Sequence, residues 1–103
     1  MQVDSAAKID KTAKIDPTAV IGAGVEIGAY CVIGAGVSIG DCAKIRNGAV
    51  IEAGAKIGRE AVVGMAALIG ERTMLADYAK IAKYTIIAPD LQIDERRGGW
   101  TGR

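Results

Sequence analysis

The chain has 103 residues, which is enough for one small domain. Its formal net charge of +1 provides no overall field that would attract nucleic acid or an anionic membrane. The first residues lack the apolar segment of a signal peptide, and no apolar run approaches the length of a membrane span. These observations predict a soluble, cytoplasmic protein that binds neither nucleic acid nor membrane.

A large aliphatic residue recurs at every sixth position from Val3 to Ile93, without any insertion. Each hexad is numbered here from that residue as position 1. Position 5 is then almost always a small residue such as alanine or valine. Because positions 5 and 1 are two residues apart, an extended chain points both to the same side. Each hexad therefore predicts a short strand with one small and one large residue facing inward.

Glycine and proline mark the bends between these strands. Of the 14 glycines, seven lie at position 2 and four at position 4, and both prolines, Pro17 and Pro89, lie at position 3. Six residues is not a helical period, and glycine at this density would destabilise a helix. A short fixed period of this kind predicts a solenoid, in which each turn buries its apolar side by stacking on the next.

The pattern aliphatic–Gly–x–x–small–x resembles the hexapeptide repeat of the left-handed parallel β-helix acyltransferases, from about Val3 to Ile93. The stretch IDPTAVIGAGVEIGAYCVIGAGVSIGD, residues 15–41, particularly resembles the early coils of the UDP-N-acetylglucosamine acyltransferases of lipid A synthesis. The resemblance implies an all-β, single-domain left-handed parallel β-helix. Such a helix is a triangular prism, here of about five coils with three hexapeptides each. The resemblance also implies a homotrimer.

The last ten residues leave the pattern. Residues 1–93 are predicted to form the β-helix, and residues 94–103, DERRGGWTGR, a C-terminal tail. A frayed chain end is the simpler interpretation of this tail. The alternative is an end cap, with Trp100 folded over the last turn, because the open end of a β-helix exposes unpaired backbone groups.

Three hexads per coil would stack residues that are 18 apart and divide the outward position 6 into three columns, each on one face of the prism. The first face is mainly charged, the second mainly aliphatic and the third mixed. The columns are Lys8, Glu26, Lys44, Val62 and Lys80 on the first face; Lys14, Val32, Val50, Leu68 and Ile86 on the second; and Val20, Ser38, Lys56, Met74 and Gln92 on the third.

Four successive aliphatic residues on the second face form an apolar stripe, and apolar stripes of this kind mark interaction surfaces. Outward β-branched residues also favour strands on their own, which is the alternative explanation. We expect this face to be the interface of a homotrimer. Full burial of the four aliphatic residues would contribute about 6–12 kcal/mol per subunit before association costs. The predicted interface residues are Tyr30, Val32, Val50, Met65, Leu68, Tyr84 and Ile86.

The sequence contains no histidine. The acyltransferases that it resembles are understood to use a histidine as general base, and the β-helical carbonic anhydrases hold a metal with three histidines. Neither set of residues can be placed on this chain. Cys31 and Cys42 occupy different hexad positions, form no metal-binding cluster and are predicted to be free thiols. We therefore predict no catalytic residue, no metal ligand and no cofactor.

These observations favour a non-catalytic structural or assembly module. One alternative is an acyltransferase-like enzyme or fragment with a base other than histidine at a subunit cleft. One corner would bring Glu60 or Asp77 near Cys42 for such a role, although a solvated corner of charged residues is the simpler interpretation. The other alternative is a trimer that binds a protein or a small molecule in its subunit clefts. The sequence does not identify such a ligand.

Overall fold

The computed structural model describes residues 2–94 and 100–101, which form a parallel β-solenoid of about five turns. The described residues contain seventeen strands of two residues each, and every strand pairing is parallel. The strands are β1 Gln2–Val3, β2 Lys8–Ile9, β3 Lys14–Ile15, β4 Val20–Ile21, β5 Glu26–Ile27, β6 Val32–Ile33, β7 Ser38–Ile39, β8 Lys44–Ile45, β9 Val50–Ile51, β10 Lys56–Ile57, β11 Val62–Val63, β12 Leu68–Ile69, β13 Met74–Leu75, β14 Lys80–Ile81, β15 Ile86–Ile87, β16 Gln92–Ile93 and β17 Trp100–Thr101.

Three parallel sheets form the three faces of the prism. The first face has the order β2-β5-β8-β11-β14, the second β3-β6-β9-β12-β15-β17 and the third β1-β4-β7-β10-β13-β16. From β1 to β13, each strand pairs with the strand eighteen residues further along, as Val32 does with Val50. The predicted coil of three hexads and the predicted columns are confirmed. Coils are numbered below from the N-terminus as residues 2–19, 20–37, 38–55, 56–73 and 74–91.

The core is built from positions 1 and 5 of the hexads. From Ala19 to Ile93 the large aliphatic residue of position 1 is at most 3% exposed. The small residues of position 5, such as Ala49 and Cys31, are fully buried between them. Isoleucine, valine and alanine therefore fill equivalent inward positions in successive coils. Among the described side chains, no aromatic residue is part of the core. This arrangement explains how a chain that lacks phenylalanine builds a dense interior.

The bends of the upper four coils place position 4 in the left-handed region of backbone conformation. Positive φ values recur every six residues from Gly24 to Asp90, and eight of these twelve positions carry a residue other than glycine. A hydrogen bond from the N–H of position 5 to the carbonyl of position 2 closes most of the bends, as from Ala61 to Gly58. All three tyrosines of the chain, Tyr30, Tyr78 and Tyr84, occupy these left-handed positions. Bulky residues are uncommon in this region of conformational space.

Bends in the first coil are built differently. Asp4, Asp10 and Asp16 replace glycine at position 2, and each side chain accepts the backbone N–H of the residue two places on. Such side-chain turns give aspartate a local role that glycine cannot fill. No positive φ occurs at residues 6, 12 and 18, which occupy hexad position 4 in this coil. The first coil therefore keeps the backbone hydrogen bond that closes the later bends, as from Ala13 to Asp10, but adds a side-chain bond and lacks the left-handed conformation.

Glycine at position 2 is explained by the coil above. A Cβ atom added to Gly58 would lie 2.5 Å from the carbonyl carbon of Ala76 in the next coil, and one added to Gly70 would lie 2.5 Å from the nitrogen of Pro89. Fifth-coil residues Ala76, Ala82 and Ala88 tolerate a methyl group at this position. A following coil therefore favours glycine at position 2, although Arg46 and Glu52 carry side chains at this position in the third coil.

The two ends of the solenoid differ. At the N-terminal end, the inward residues Ile9 and Ile15 are only half-buried, whereas Ile81, Ile87 and Ile93 near the other end are at most 3% exposed. The backbone of β17 pairs with β15 only fourteen residues earlier in the chain, so it departs from the eighteen-residue register. The predicted end cap depends on the side chain of Trp100, which lies outside the described part of the chain. Most of the predicted tail 94–103 also lies outside it. No helix within the described part of the chain could span a membrane.

Candidate functional site: an apolar face between two unlike corners

The stripe on the second face lies where the sequence predicts it. Val32, Val50, Leu68 and Ile86 are neighbours in one column, because their strands pair in register. Val32 is 40% exposed and Ile86 is 44% exposed, while the middle pair is half-buried. The stripe is therefore continuous, and its upper and lower residues remain open to a partner.

One edge of the second face is formed by the corner with the first face, which we call the tyrosine corner after Tyr30 and Tyr84. Their side chains are 73% and 64% exposed, and Met65 on the same corner is 46% exposed. Lys83 Nζ lies 5.9 Å from the centre of the Tyr84 ring, within the range of a cation–π contact. The structure places these residues of the predicted interface beside the stripe. Whether they form an interface remains a prediction.

The opposite edge of the second face is the corner with the third face, which we call the glycine corner after Gly36 and Gly54. Both glycines have positive φ, and a Cβ atom added to Gly36 would meet no atom within 4 Å. Above them Arg72 forms a bidentate pair with Asp90, with Nε and NH2 donating to the two carboxylate oxygens at 2.6 and 3.0 Å. These bonds lower the pKa of Asp90 and raise the pKa of Arg72. At position 4, the glycine corner thus has no side chain on the second and third coils and a charged side chain on the fourth and fifth coils.

The third corner, between the third and first faces, carries the polar residues considered for catalysis. Asp41 and Asp77 each accept a backbone N–H from the coil below, that of Ala23 and that of Arg59, both at 2.9 Å. Arg59 and Glu60 are 3.8 Å apart in an exposed ion pair. These carboxylates therefore stabilise the corner itself. Within the described chain, no group of three metal-ligating residues is close enough together to hold an ion.

The two cysteines have different environments and do not form a disulfide with each other. Cys42 is exposed on the third corner. Cys31 is buried, and its thiol donates to the carbonyl of Arg46 at 2.9 Å. Burial raises the pKa of the Cys31 thiol, which keeps it protonated and unreactive. Neither sulfur lies in a site that would activate it as a nucleophile.

Shallow troughs run along the first and third faces. One lies on the first face between Lys8, Lys44 and Arg46, and two others lie on the third face beside Val20 and Met74. Residues of positions 6, 1 and 2 on successive coils line each trough. The troughs thus follow the hexad repeat along the faces and do not indicate a dedicated binding site.

Sequence reasoning missed two features of the corners. It placed Tyr30 and Tyr84 at a corner, but it did not predict their left-handed conformation. It also missed Thr12 and Thr18, whose hydroxyls accept the backbone N–H groups of Tyr30 and Gly36 at 2.8 Å each. The repeated Asp-x-Thr pattern at 10–12 and 16–18 was the available signal, since aspartate and threonine form such turns together.

The fold and its hexads are those of hexapeptide-repeat left-handed β-helix proteins. The sequence model of the family described as GMPPB C-terminal domain matches residues 1–97, and the chain belongs to this family. The search of curated proteins gives no match.

Among solved structures, the chain is similar to the UDP-N-acetylglucosamine acyltransferase of Francisella novicida, with 23% identity and a TM-score of 0.66 over 95% of this chain and 46% of that one. It is similar to PerB of Caulobacter crescentus, solved with CoA and GDP-perosamine, with 14% identity and a TM-score of 0.65 over 94% and 53% of the two chains. It is also similar to the acetyltransferase domain of PglB from Neisseria gonorrhoeae, with 22% identity and a TM-score of 0.61 over 90% of this chain and 54% of that one.

The chain spans about half the length of these proteins. At such identities the likeness concerns the fold alone. It confirms the predicted left-handed parallel β-helix, and it assigns no activity to this chain.

Proposed function

We propose that the protein is a non-catalytic assembly module of the cytoplasm, and that it forms a homotrimer through its second face. The main support for this proposal is a continuous column of aliphatic side chains that remains partly exposed on the single chain, formed by Val32, Val50, Leu68 and Ile86. The corresponding column of the first face is charged at four of its five positions. An apolar face next to a charged one indicates burial against a partner.

Burial of the stripe alone would contribute less free energy to trimer formation than the value of about 6–12 kcal/mol per subunit that assumes full burial of four exposed side chains. Val32 and Ile86 are already more than half covered within one chain, and Val50 and Leu68 more so. The remaining exposed area of the four side chains corresponds to about 2–5 kcal/mol per subunit. Tyr30, Tyr84 and Met65 expose larger fractions, so burial of the tyrosine corner would add substantially to this figure.

A catalytic role has little support from the residues present. The chain contains no histidine; at the third corner Asp41 and Asp77 accept backbone N–H groups, and Glu60 forms an exposed ion pair with Arg59. We expect background rates for acetyl-CoA-dependent acyl transfer and for zinc-dependent hydration of CO₂. A rate that follows protein concentration in either assay would contradict a non-catalytic role.

Charged substitutions on two faces test the assembly. Val50→Asp together with Leu68→Glu would place two like charges on neighbouring strands in the middle of the proposed interface, where neither can pair with the other and burial of a charge costs several kcal/mol. We expect this variant to be monomeric by light scattering, with the inward residues and the β-rich circular dichroism unchanged. The matched control is Lys8→Asp with Lys44→Glu on the first face, which should leave the trimer intact. A trimer that survives the second-face charges would exclude this face.

A further inference from the structure

The proposed function fixes which corners of neighbouring protomers must meet. If three prisms turn their second faces toward a common axis, these faces form the sides of a central triangle. At each vertex of that triangle, the tyrosine corner of one protomer meets the glycine corner of the next.

Side-chain size is opposite at the two corners on two different coils. On the second coil, the tyrosine corner carries the projecting Tyr30 and the glycine corner carries Gly36, which has open space around it. On the fourth coil, the tyrosine corner carries Ala66 at position 4, beside the exposed Met65, and the glycine corner carries Arg72 at position 4. A parallel threefold ring brings the same coils of neighbouring protomers together. At position 4, each large side chain then faces a small one, once in each direction.

The fifth coil adds a polar match between the same corners. Tyr84 ends the tyrosine corner, and Asp90 lies at the equivalent place on the glycine corner. The carboxylate of Asp90 is held by Arg72, so its position is fixed before any partner arrives. A phenol hydroxyl can donate to such a carboxylate. Contacts at this height would therefore be polar, in contrast to the packing of Tyr30.

The tyrosine corner carries two aromatic side chains that the solenoid itself does not require. Tyr30 and Tyr84 have φ values of 61° in a region that bulky residues rarely adopt. The same position on the intervening coils is Gly48 and Ala66, so the fold itself does not require an aromatic residue there. Tyrosine supplies a large, rigid contact area with little conformational freedom to lose on binding.

We propose that the tyrosine corner of each protomer docks on the glycine corner of the next, with Tyr30 over Gly36 and Arg72 over Ala66. The occupant of both corners is a second copy of this chain, in a parallel ring that closes after three members. The two patches are unlike each other, so the contact is heterologous, and only a closed rotation makes the assembly finite. This inference rests on the proposed function.

Engineered disulfides test the pairing of corners. Tyr30→Cys and Ala35→Cys, combined in a Cys42→Ser background, place one thiol at each end of the second face. Five residues of extended chain separate the two thiols by roughly 16 Å, well beyond the Cα separation of about 7 Å that a disulfide within one chain can span. We expect oxidation to give covalent trimers on a non-reducing denaturing gel, whereas each single substitution gives none.

The matched control is Tyr78→Cys with Lys83→Cys, which occupies the same two hexad positions across the first face and should give no crosslink. Light scattering before oxidation separates the possible outcomes. A trimer without second-face crosslinks, or with crosslinks from the first-face pair, would overturn the corner pairing and leave the trimer standing. Crosslinking by Tyr30→Cys alone would place the tyrosine corner on the axis and also overturn it. A monomeric parent protein would overturn both proposals.

Discussion

The hydroxyl of Thr12 accepts the backbone N–H of Tyr30 at 2.8 Å, across the boundary between the first and second coils. In the higher coils, the N–H of position 4 donates instead to the carbonyl of position 3 in the coil below, as from Tyr84 to Met65. The aspartate turns of the first coil have a different backbone path. The threonine side chain therefore supplies the acceptor that links the two kinds of bend.

Thr12→Val should expose this role. The variant keeps the shape of the side chain and removes the acceptor for the Tyr30 N–H, so we expect a loss of about 1 kcal/mol in the free energy of unfolding. Thr12→Ser, which retains the hydroxyl, is the control and should lose less. Urea unfolding measures the stability, and hydrogen exchange of the Tyr30 amide reports the local effect. Equal stability of the valine and serine variants would show that the hydroxyl contributes nothing.

Stability should decrease at acidic pH because of the first coil. Hydrogen bonds from the side chain and backbone of Thr12 lower the pKa of Asp10, and those of Thr18 lower the pKa of Asp16. A pKa that is lower in the folded state means that the unfolded chain binds more protons in this range. The contribution is complete above the ordinary aspartate value of about 4 and is lost as the pH falls through the folded pKa.

Urea unfolding between pH 6 and pH 2.5 checks this expectation. Asp10→Asn with Asp16→Asn should flatten the decrease below pH 4, while Asp90, whose pKa Arg72 also lowers, continues to contribute. Thr12→Val with Thr18→Val, which keeps both carboxylates and removes the hydroxyl bonds to them, should flatten it in the same direction. If both double variants follow the same pH curve as the parent protein, the aspartate turns are not the cause.

Relief of backbone strain should stabilise the protein at Glu60, where φ is 56°. Left-handed conformation costs an L-residue roughly 1–2 kcal/mol, part of which glycine returns through its greater freedom in the unfolded chain. We expect Glu60→Gly to raise the free energy of unfolding by about 0.5–1 kcal/mol. Glu60→Ala is the control, since it also removes the weak pair with Arg59 but keeps the strain. A glycine variant no more stable than the alanine variant would argue against strain at this bend.

The two thiols should react at very different rates. Cys42 is exposed, while Cys31 is buried and its pKa is raised by that burial. A thiol reagent should therefore modify one cysteine per chain under native conditions and a second only after unfolding. Cys42→Ser should abolish the native reaction. A disulfide between the two cysteines, detected by mass spectrometry, would contradict the expectation.

The fold could be predicted from the sequence because every hexad repeats the same solution. Isoleucine at position 1 and glycine at position 2 fix the strand and the bend, and the eighteen-residue coil then places Val50 beside Leu68. The conformation of Tyr30 could not be predicted, because left-handed positions are normally recognised by glycine or asparagine. The degree of burial of Val50 and Leu68 also depends on neighbouring side chains, about which the period says nothing.

The eighteen-residue register restricts how such a chain can change its length. Removing residues 38–55 would delete one whole coil, so that Val32 would pair with Leu68 and every face would keep its character. Removing a single hexad would preserve the core equally well, since all hexads present the same inward pair. All later residues would then rotate by one face, and Leu68 and Ile86 would leave the second face. The interior therefore tolerates length changes in steps of six, whereas the surface tolerates them only in steps of eighteen.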